Sequence, residues 1–251
     1  MIRVEDTRRW GGTATQGEAR MRIEELQRRI RRCRACAGLF RGRYVDPTTR
    51  SEPLRVRPVC AVAAGARVML VGQAPGLEEY RSGSPFRGRA GRGIREVFAR
   101  QGIGAAAFDA LVHRTTVTKC FPGRRLVRKG DRVQQRDRAP TGEEVRNCAP
   151  FLSEEVRAVR PSVLVLLGAG AIAAYERLRG RRYRGDLRAY VGSAECWEDT
   201  TVVFLPHTSG TSRWLNRGEV RNRRLHAEAQ RLLGAALRRA VVVRPHRRRR
   251  E

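Results

Sequence analysis

The chain has very little lysine and too few acidic residues to balance its arginines. Lys119 and Lys129 are the only lysines, yet lysine and arginine together number 53 against 25 aspartates and glutamates, a formal net charge of +28. Two explanations stay open. One is a compositional bias toward arginine with solvated faces, and the other is a polyanionic partner, most simply nucleic acid, whose phosphates arginine would contact. A bias alone does not require so large an excess of one sign.

Long apolar runs are also missing. No stretch approaches the roughly 18 apolar residues of a membrane span, and the segment Met1-Ile2-Arg3-Val4-Glu5 has no signal-peptide core. We therefore expect a soluble intracellular protein without a membrane partner, and a monomer, because no oligomer signal is visible. Six cysteines in a reducing compartment indicate metal binding or chemistry rather than disulfides.

Apolar segments alternate with helical ones along the chain. The strand candidates are 68–71, 115–119, 162–167 and 201–206. The helical candidates are Glu18 to about Arg32, and stretches near 90–101, 141–159, 169–180 and 218–240. This alternation predicts an α/β fold with a parallel sheet covered on both faces. We expect a flexible N-terminus over 1–17, a single domain over 18–240 and a basic tail over 241–251.

Two glycine-rich loops follow apolar strand candidates. The first, Gly72-Gln73-Ala74-Pro75-Gly76, comes after Val68–Val71 and continues through Glu79 into Gly83–Gly91. The second begins at His207-Thr208-Ser209-Gly210, after 201–206. Buried strands that open into such loops build ligand sites at the carboxyl edge of α/β sheets. With a carboxylate and an aromatic in one loop and a histidine in the other, the pair predicts an active site.

Four of the cysteines form a candidate metal-ligand set. Cys33 and Cys36 make a Cys-x-x-Cys pair at the end of the first helix, Cys120 ends the second strand candidate, and Cys148 lies in the following helix. Four thiolates suit either tetrahedral zinc or an iron–sulfur cluster, and spacing alone does not decide between them. Cys60 and Cys196 adjoin apolar runs, and we predict that both are small buried apolar residues.

The motifs together resemble one family. The first loop, with Gly83-x-Pro85-Phe86-x-Gly88-x-Ala90-Gly91, resembles the first motif of the iron–sulfur-containing, family 4-like uracil-DNA glycosylases. His207-Thr208-Ser209-Gly210 resembles their second motif, His-Pro-Ser. The cysteine order, ending after Ala139-Pro140-Thr141-Gly142-Glu143-Glu144, resembles their cluster ligands. The resemblance covers residues 30 to 240 or so.

The resemblance implies a fold, a cofactor and a partner. The fold is a three-layer α/β/α sandwich around a central four-stranded parallel sheet. The cofactor is a structural [4Fe–4S] cluster on Cys33, Cys36, Cys120 and Cys148, and the partner is DNA containing uracil or another deaminated base. A cytoplasmic, nucleoid-associated location of bacterial type is expected. The implied activity is base excision repair, by hydrolysis of the bond between base and sugar.

The family pattern also assigns roles to single residues. His207 would donate a hydrogen bond to the departing base, Phe86 would stack on the flipped base, and backbone N–H groups at Gln73 and Ala74 would share the stabilisation of its charge. The alternatives are a core phenylalanine and a histidine that caps a helix or contacts phosphate. Ser209 is predicted to contact phosphate, and Arg213 and Trp214 follow where the family inserts a wedge into DNA, unless Trp214 only covers the core.

Three positions depart from the family pattern. Gln73 replaces a usual glutamate, so it can orient water but not take its proton. Glu79, by contrast, matches a family carboxylate; it could orient the water or the loop, or be simply exposed. Thr116 stands where an asparagine usually reads the uracil edge, which predicts broader or altered base choice. Thr208 replaces the proline of the second motif, and the loop between Cys120 and Cys148 is longer and richer in arginine than usual.

Three functions remain open at this stage. The first is a DNA-repair glycosylase. The second is a catalytically weak iron–sulfur DNA-binding or damage-sensing protein of the same fold, which Gln73 and Thr116 support. The third is a nucleotide-binding α/β protein with a zinc site, which the absence of Gly-Lys-Ser/Thr and of Gly-x-Gly-x-x-Gly disfavours.

Overall fold

The structure is a computed structural model that describes residues 16–40, 53–61, 63, 65–130, 132–209, 214 and 220–240. Its helices are α1 (Gln16–Arg32), α2 (Ala37–Phe40), α3 (Leu77–Ser82), α4 (Arg89–Ala99), α5 (Ala105–Leu111), α6 (Gly142–Val159), α7 (Ala169–Leu178) and α8 (Val220–Ala240). Its strands are β1 (Val68–Gly72), β2 (Val112–Thr116), β3 (Arg124–Lys129), β4 (Arg132–Asp137), β5 (Val163–Leu167), β6 (Ala194–Trp197) and β7 (Thr200–Leu205). A short 3-10 helix spans Leu187–Ala189.

A five-stranded sheet forms the centre, in the order β2-β1-β5-β7-β6. Neighbours among β1, β2, β5 and β7 are parallel, which confirms the predicted four-stranded parallel sheet, and β6 adds an antiparallel edge strand that the sequence did not reveal. The second strand lies three residues earlier than predicted. After Thr116, the N–H of Val117 still donates to the carbonyl of Gly72, at 2.9 Å, and the carbonyl of Lys119 accepts from the N–H of Val59, at 2.7 Å.

Both faces of the sheet are buried, as in parallel α/β folds generally. Val68, Leu70 and Val165 point to the layer that contains α4 and α8. Met69 and Leu164, their neighbours in the strands, point to the opposite layer with α6 and α7. Successive strand residues face opposite sides, so strands covered on both sides read as continuous apolar runs. The arrangement is the predicted three-layer α/β/α sandwich.

The N-terminal helix packs against the outside of this sandwich. Ile23, Leu26 and Ile30 of α1 lie three and four residues apart, are buried and pack against Phe151 of α6. Helix α6 begins with a capping box between Thr141 and Glu144, and it continues through Pro150 without interruption. Helix α1 begins at Gln16, within the segment predicted to be flexible; residues 1–15 and the tail 241–251 lie outside the described residues.

The segment between Cys120 and α6 is not the loop that the sequence suggested. Strands β3 and β4 pair antiparallel as a separate two-stranded hairpin. Its arginines fall on both faces, which hides the alternation by which a strand is usually recognised. Among the described residues, no helix has the length and apolar character needed to cross a membrane.

Candidate active site

The two glycine-rich loops meet at one edge of the sheet. Parallel strands end at a common edge, so the residues that follow β1, β2, β5 and β7 collect there. Gly72 pairs with Thr116, and the N–H of Gly168 donates to the carbonyl of Leu205, at 2.9 Å. His207 follows Leu205 after one proline. The sites predicted from separate parts of the sequence therefore adjoin one another.

Glu79 fastens the two halves of the first motif together. Its Oε1 accepts hydrogen bonds from the N–H groups of Arg87 and Gly88, at 2.8 and 2.7 Å, and its Oε2 accepts one from the N–H of Gly76, at 3.0 Å. The residue is buried. Because three backbone donors occupy this carboxylate, the geometry favours the loop-orienting role; a part in positioning water stays a prediction.

Replacing Glu79 by glutamine is expected to destabilise the fold by about 1–3 kcal/mol, because an amide NH2 would face backbone donors that now have an acceptor. Unfolding in denaturant measures the change. The matched control is Glu78→Gln, one residue earlier and exposed, which should stay within about 0.5 kcal/mol of the parent. Equal stability of the two variants would show that the hydrogen bonds of Glu79 do not contribute to the free energy of unfolding.

Phe86 lies where the first motif crosses the end of β1. Its backbone is in the left-handed region, with a φ of 58°, which is uncommon for an aromatic residue. Its ring reaches within 3.0 Å of the place where a Cβ on Gly72 would be, and a Cβ on Gly91 would overlap its carbonyl. The side chain is only 5% exposed and belongs to the main core. Stacking on a base stays a prediction.

Gln73 and His207 lie on either side of the start of α7. A Cβ on Gly170 would be 2.7 Å from Cγ of Gln73, and one on Gly168 would be 3.4 Å from Cβ of His207. No described residue makes a hydrogen bond to the side-chain amide of Gln73. These two glycines are not among the predicted site residues, although Gly168-Ala169-Gly170 follows β5 in the same strand-then-glycine pattern as the first motif.

The contacts of His207 with Ser209 are made by one ring nitrogen, Nδ1. Its Nδ1 accepts from the N–H of Ser209, at 3.4 Å, and lies 2.8 Å from the Ser209 hydroxyl. Burial lowers the pKa of His207 below its usual value. When Nδ1 accepts, the ring proton is on Nε2, which is then the nitrogen left to donate to a ligand.

Thr208 holds the histidine loop against α4. Its Oγ1 donates to the carbonyl of Ala90, at 2.8 Å. A Cβ on Gly93 would be 2.5 Å from the carbonyl oxygen of Thr208. A hydrogen bond thus restrains the position where the family pattern has proline.

The Thr116 side chain is turned partly inward. Its hydroxyl donates to the carbonyl of Thr118, at 2.8 Å, and its methyl group lies 3.4 Å from the place of a Cβ on Gly72. It is buried. Thr116 therefore borders the site, with its one hydroxyl proton already used; a contact with a base edge stays a prediction.

For the remaining predicted site residues, the structure gives fewer contacts. Ala74 is half-buried in the first loop. Arg213 lies outside the described residues. Trp214 packs against the core beside Leu225, and its carbonyl accepts from the Asn222 amide, at 2.9 Å, which is the core-covering position.

The four cysteines of the candidate metal set converge on one place. Cys36 and Cys120 belong to one buried cluster. Burial, followed by repulsion from Cys148, Cys36 and Cys33, raises the pKa of the Cys120 thiol. The Asn147 amide donates to Sγ of Cys36, at 3.7 Å. Within the described ranges, no three histidine, cysteine or acidic side chains are spaced to hold one metal ion.

The other two cysteines differ from each other. Cys60 is buried against α1, as predicted. Cys196 is exposed, so the prediction of burial is wrong there. It lies in the edge strand β6, which the sequence analysis did not identify.

A buried ionic network lies between the site and the cysteines. Lys119 is 1% exposed, and its Nζ donates to Oε2 of Glu155 and to the carbonyl of Thr116, both at 2.6 Å. Burial raises the pKa of the Cys148 thiol, and the hydrogen bond that the Lys119 N–H donates to its sulfur opposes this rise. Burial opposes ionisation of Glu155, but Lys119 and His113 outweigh it and lower the carboxyl's pKa to about 2.

Sequence comparison finds similar proteins. The sequence model of the Uracil DNA glycosylase superfamily matches residues 61–232. A type-4 uracil-DNA glycosylase of Pyrobaculum aerophilum is 34% identical over 115 residues, which are 46% of this chain and 50% of that protein. One of Archaeoglobus fulgidus is 38% identical over 103 residues, 41% and 44% of the two chains.

A third similar protein is the type-4 uracil-DNA glycosylase of Thermotoga maritima, 30% identical over 155 residues, which are 60% of this chain and 64% of that protein. The chain thus spans about half to two thirds of the length of these curated relatives.

Proposed function

The chain belongs to the uracil-DNA glycosylase superfamily, and on that basis we propose that it hydrolyses the N-glycosidic bond of uracil, or of a related deaminated base, in DNA. The observation that carries the proposal is the position of His207, which lies beside the start of α7 near Gln73 and whose Nδ1 accepts from the Ser209 N–H. The names of the curated relatives support the same reaction.

The site suits a reaction in which negative charge develops on the departing base. Breaking the bond to deoxyribose leaves a cationic sugar and an anionic base. The Nε2–H of His207 would donate to a carbonyl oxygen of that base. The first N–H groups of α7, which begins between Gly168 and Gly170, add partial positive charge at the same edge. Donors aimed at developing charge typically contribute 10²–10³ in rate each.

Water would be oriented rather than deprotonated. The Gln73 amide can hold a water molecule through its oxygen or its NH2, but it cannot accept a proton. Glu79 already accepts three backbone hydrogen bonds. Because the bond to the base breaks before water adds fully, the sugar cation itself draws the water in, and a general base is not essential.

The target base would leave the helix stack to reach this edge of the sheet. Flipping costs a few kcal/mol in a duplex and less in a mismatch or a single strand. Phe86 would offer an aromatic contact to the base, Ala74 a backbone N–H, Thr116 a hydroxyl oxygen, and Ser209 and Arg213 contacts to phosphate. Since Thr116 has only one hydroxyl, we expect less strict base choice than an asparagine would give.

Cys33, Cys36, Cys120 and Cys148 would hold a [4Fe–4S] cluster. Three of the four thiols are buried, and Asn147 and the Lys119 backbone supply N–H donors to sulfur, as cluster sites require. A single zinc ion, the alternative, needs four sulfurs within about 4 Å of one another, given Zn–S bonds of about 2.3 Å. The cluster would serve as a structural tie between the end of α1, the end of β2 and α6.

Replacing Cys148 by serine is expected to remove most of the iron and the associated visible absorbance from the purified protein, because one of four thiolate ligands is lost. Metal analysis and absorbance measure this. Cys196→Ser is the matched control: it changes an exposed cysteine outside the set and should keep full iron. Stoichiometric zinc in the parent protein would contradict the cluster.

The alternative of a catalytically weak DNA-binding or damage-sensing protein has one observation in its favour. Gln73 cannot take a proton from water, and the Glu79 carboxylate already accepts three backbone hydrogen bonds. We place the protein on cytoplasmic DNA as a monomer under either proposal.

Base release decides between the two. Oligonucleotides that carry uracil, hypoxanthine or xanthine, in single strands and in mismatched duplexes, are incubated with excess protein and the free base is quantified. Release of uracil supports the glycosylase. Release of hypoxanthine or xanthine alone would support the same mechanism and would indicate that Thr116 determines which base is accepted. Tight binding without release of any base would favour the damage-sensing alternative.

A further inference from the structure

The arginine-rich hairpin of β3 and β4 projects from the sandwich as a separate ribbon. Its strands pair only with each other among the described residues, from Arg124 opposite Asp137 to Lys129 opposite Arg132. Residues 124–137 contain six basic and two acidic residues. Every described side chain of β4 is exposed. Such a ribbon contributes little to the core, so its composition needs another explanation.

One directly opposed pair in the hairpin carries like charges. Arg125 stands opposite Arg136. Like charges in directly opposed positions of an antiparallel pair destabilise it. A polyanion bound along the ribbon would remove this repulsion.

The ribbon also exposes apolar side chains. Leu126 is 70% exposed and Val133 is 56% exposed. By strand alternation and register they occupy the same face, as diagonal neighbours. Side chains of this kind contact sugars and base edges where proteins enter a groove of DNA, and a two-stranded ribbon fits the major groove.

The base of the hairpin is fixed to the candidate active site. Asp137 accepts from the N–H of Leu77 through Oδ2, at 3.2 Å, and from Nε of Arg124 through Oδ1, at 3.0 Å. The N–H of Arg138 donates to the carbonyl of Gly123, at 3.0 Å, and closes the ribbon. Leu77 directly follows the first glycine-rich loop, so the ribbon begins beside the residues proposed to receive the flipped base.

We propose that this hairpin binds the DNA backbone next to the target nucleotide, with its arginines on phosphates. The inference rests on the proposed function and adds a second DNA contact outside the pocket. The hairpin holds the strand that flanks the lesion, and the Asp137 contact fixes its distance from the first motif.

The test removes four exposed hairpin charges, in the variant R125Q/R128Q/R132Q/R136Q, and leaves Arg124 on Asp137. The control, R177Q/R182Q/R238Q/R239Q, removes four exposed charges near the C-terminal ends of α7 and α8. Both variants lower the net charge equally. Binding of an undamaged duplex is measured as a function of salt, because each lost phosphate contact reduces the slope of log K against log salt by about 0.9.

We expect the slope of the hairpin variant to fall by about 2 to 4, and that of the control by less than about 1. Uracil release with saturating protein should be unchanged in the control, since it alters neither the pocket nor the hairpin. Equal slopes in the two variants would overturn the proposal, because only net charge would then matter. The binding readout is independent of catalysis, so failure of the proposed function, seen as no base release by the parent, is distinguishable from failure of the hairpin proposal.

Discussion

His207→Ala is expected to slow uracil release by roughly 10²–10³-fold, or about 2.7–4 kcal/mol in the barrier. The loss follows from the tautomer: the Ser209 N–H holds Nδ1 as an acceptor, so Nε2–H is the donor that the departing base would use. Alanine offers no donor at this place. Binding of an undamaged duplex should be retained, because the donor acts on charge that appears only as the bond breaks.

His226→Ala provides the matched control. His226 is also partly buried, but it lies in α8 and contacts Gln230, away from the loops of the site. Its replacement should leave the rate within about twofold of the parent. A His207→Ala variant that releases uracil at the parental rate would remove this residue from the mechanism.

Glu155→Gln is expected to destabilise the protein by about 3–5 kcal/mol, because it leaves the Lys119 ammonium buried without its counter-charge. Lys119 has no alternative carboxylate among the described residues, and it is 1% exposed. The same change should loosen the end of β2, since Lys119 also binds the Thr116 carbonyl. Unfolding in denaturant gives the free energy.

Glu154→Gln is the control for that substitution. Glu154 precedes Glu155 but pairs with Arg29 at the surface, so its loss should cost no more than about 1 kcal/mol. A double variant, K119M/E155M, should recover much of the loss by removing both charges together. Similar stabilities of Glu155→Gln and Glu154→Gln would contradict the importance of the buried pair.

The same pair predicts a dependence on pH. The pKa of Glu155 is about 2 in the folded protein and near 4.5 when unfolded. A carboxyl with a lowered pKa contributes stability above its unfolded value and loses it as pH falls through the folded one. The parent should therefore lose stability between about pH 4.5 and pH 2 more steeply than Glu155→Gln.

The parallel sheet was predictable because both of its faces are buried. Strands β1, β5 and β7 are apolar at nearly every position, so they stand out without any knowledge of the fold. The edge strand β6 alternates exposed and buried residues over only four positions, which is too short a pattern to read. The hairpin was hidden for a different reason: arginine on both faces removes the alternation.

Part of the candidate site could be inferred from local motifs, and part could not. His207, Gln73 and Phe86 lie in loops whose glycines mark them in the sequence. The connection from Lys119 to Glu155 spans 36 residues and joins a strand end to the middle of a helix. Nothing local distinguishes Glu155 from other acidic residues of α6, since its partner is supplied only by packing. The hydrogen bonds of Glu79 likewise depend on packing, because their donors are backbone N–H groups eight and nine residues later in the chain.

The most direct test of the account is a single-turnover measurement of free uracil released from a uracil-containing oligonucleotide by the parent protein and by His207→Ala. The account predicts one uracil and one abasic site per strand with the parent, and a rate lower by at least about 10²-fold in the variant. Parent protein that binds the same oligonucleotide tightly and releases no uracil would contradict it.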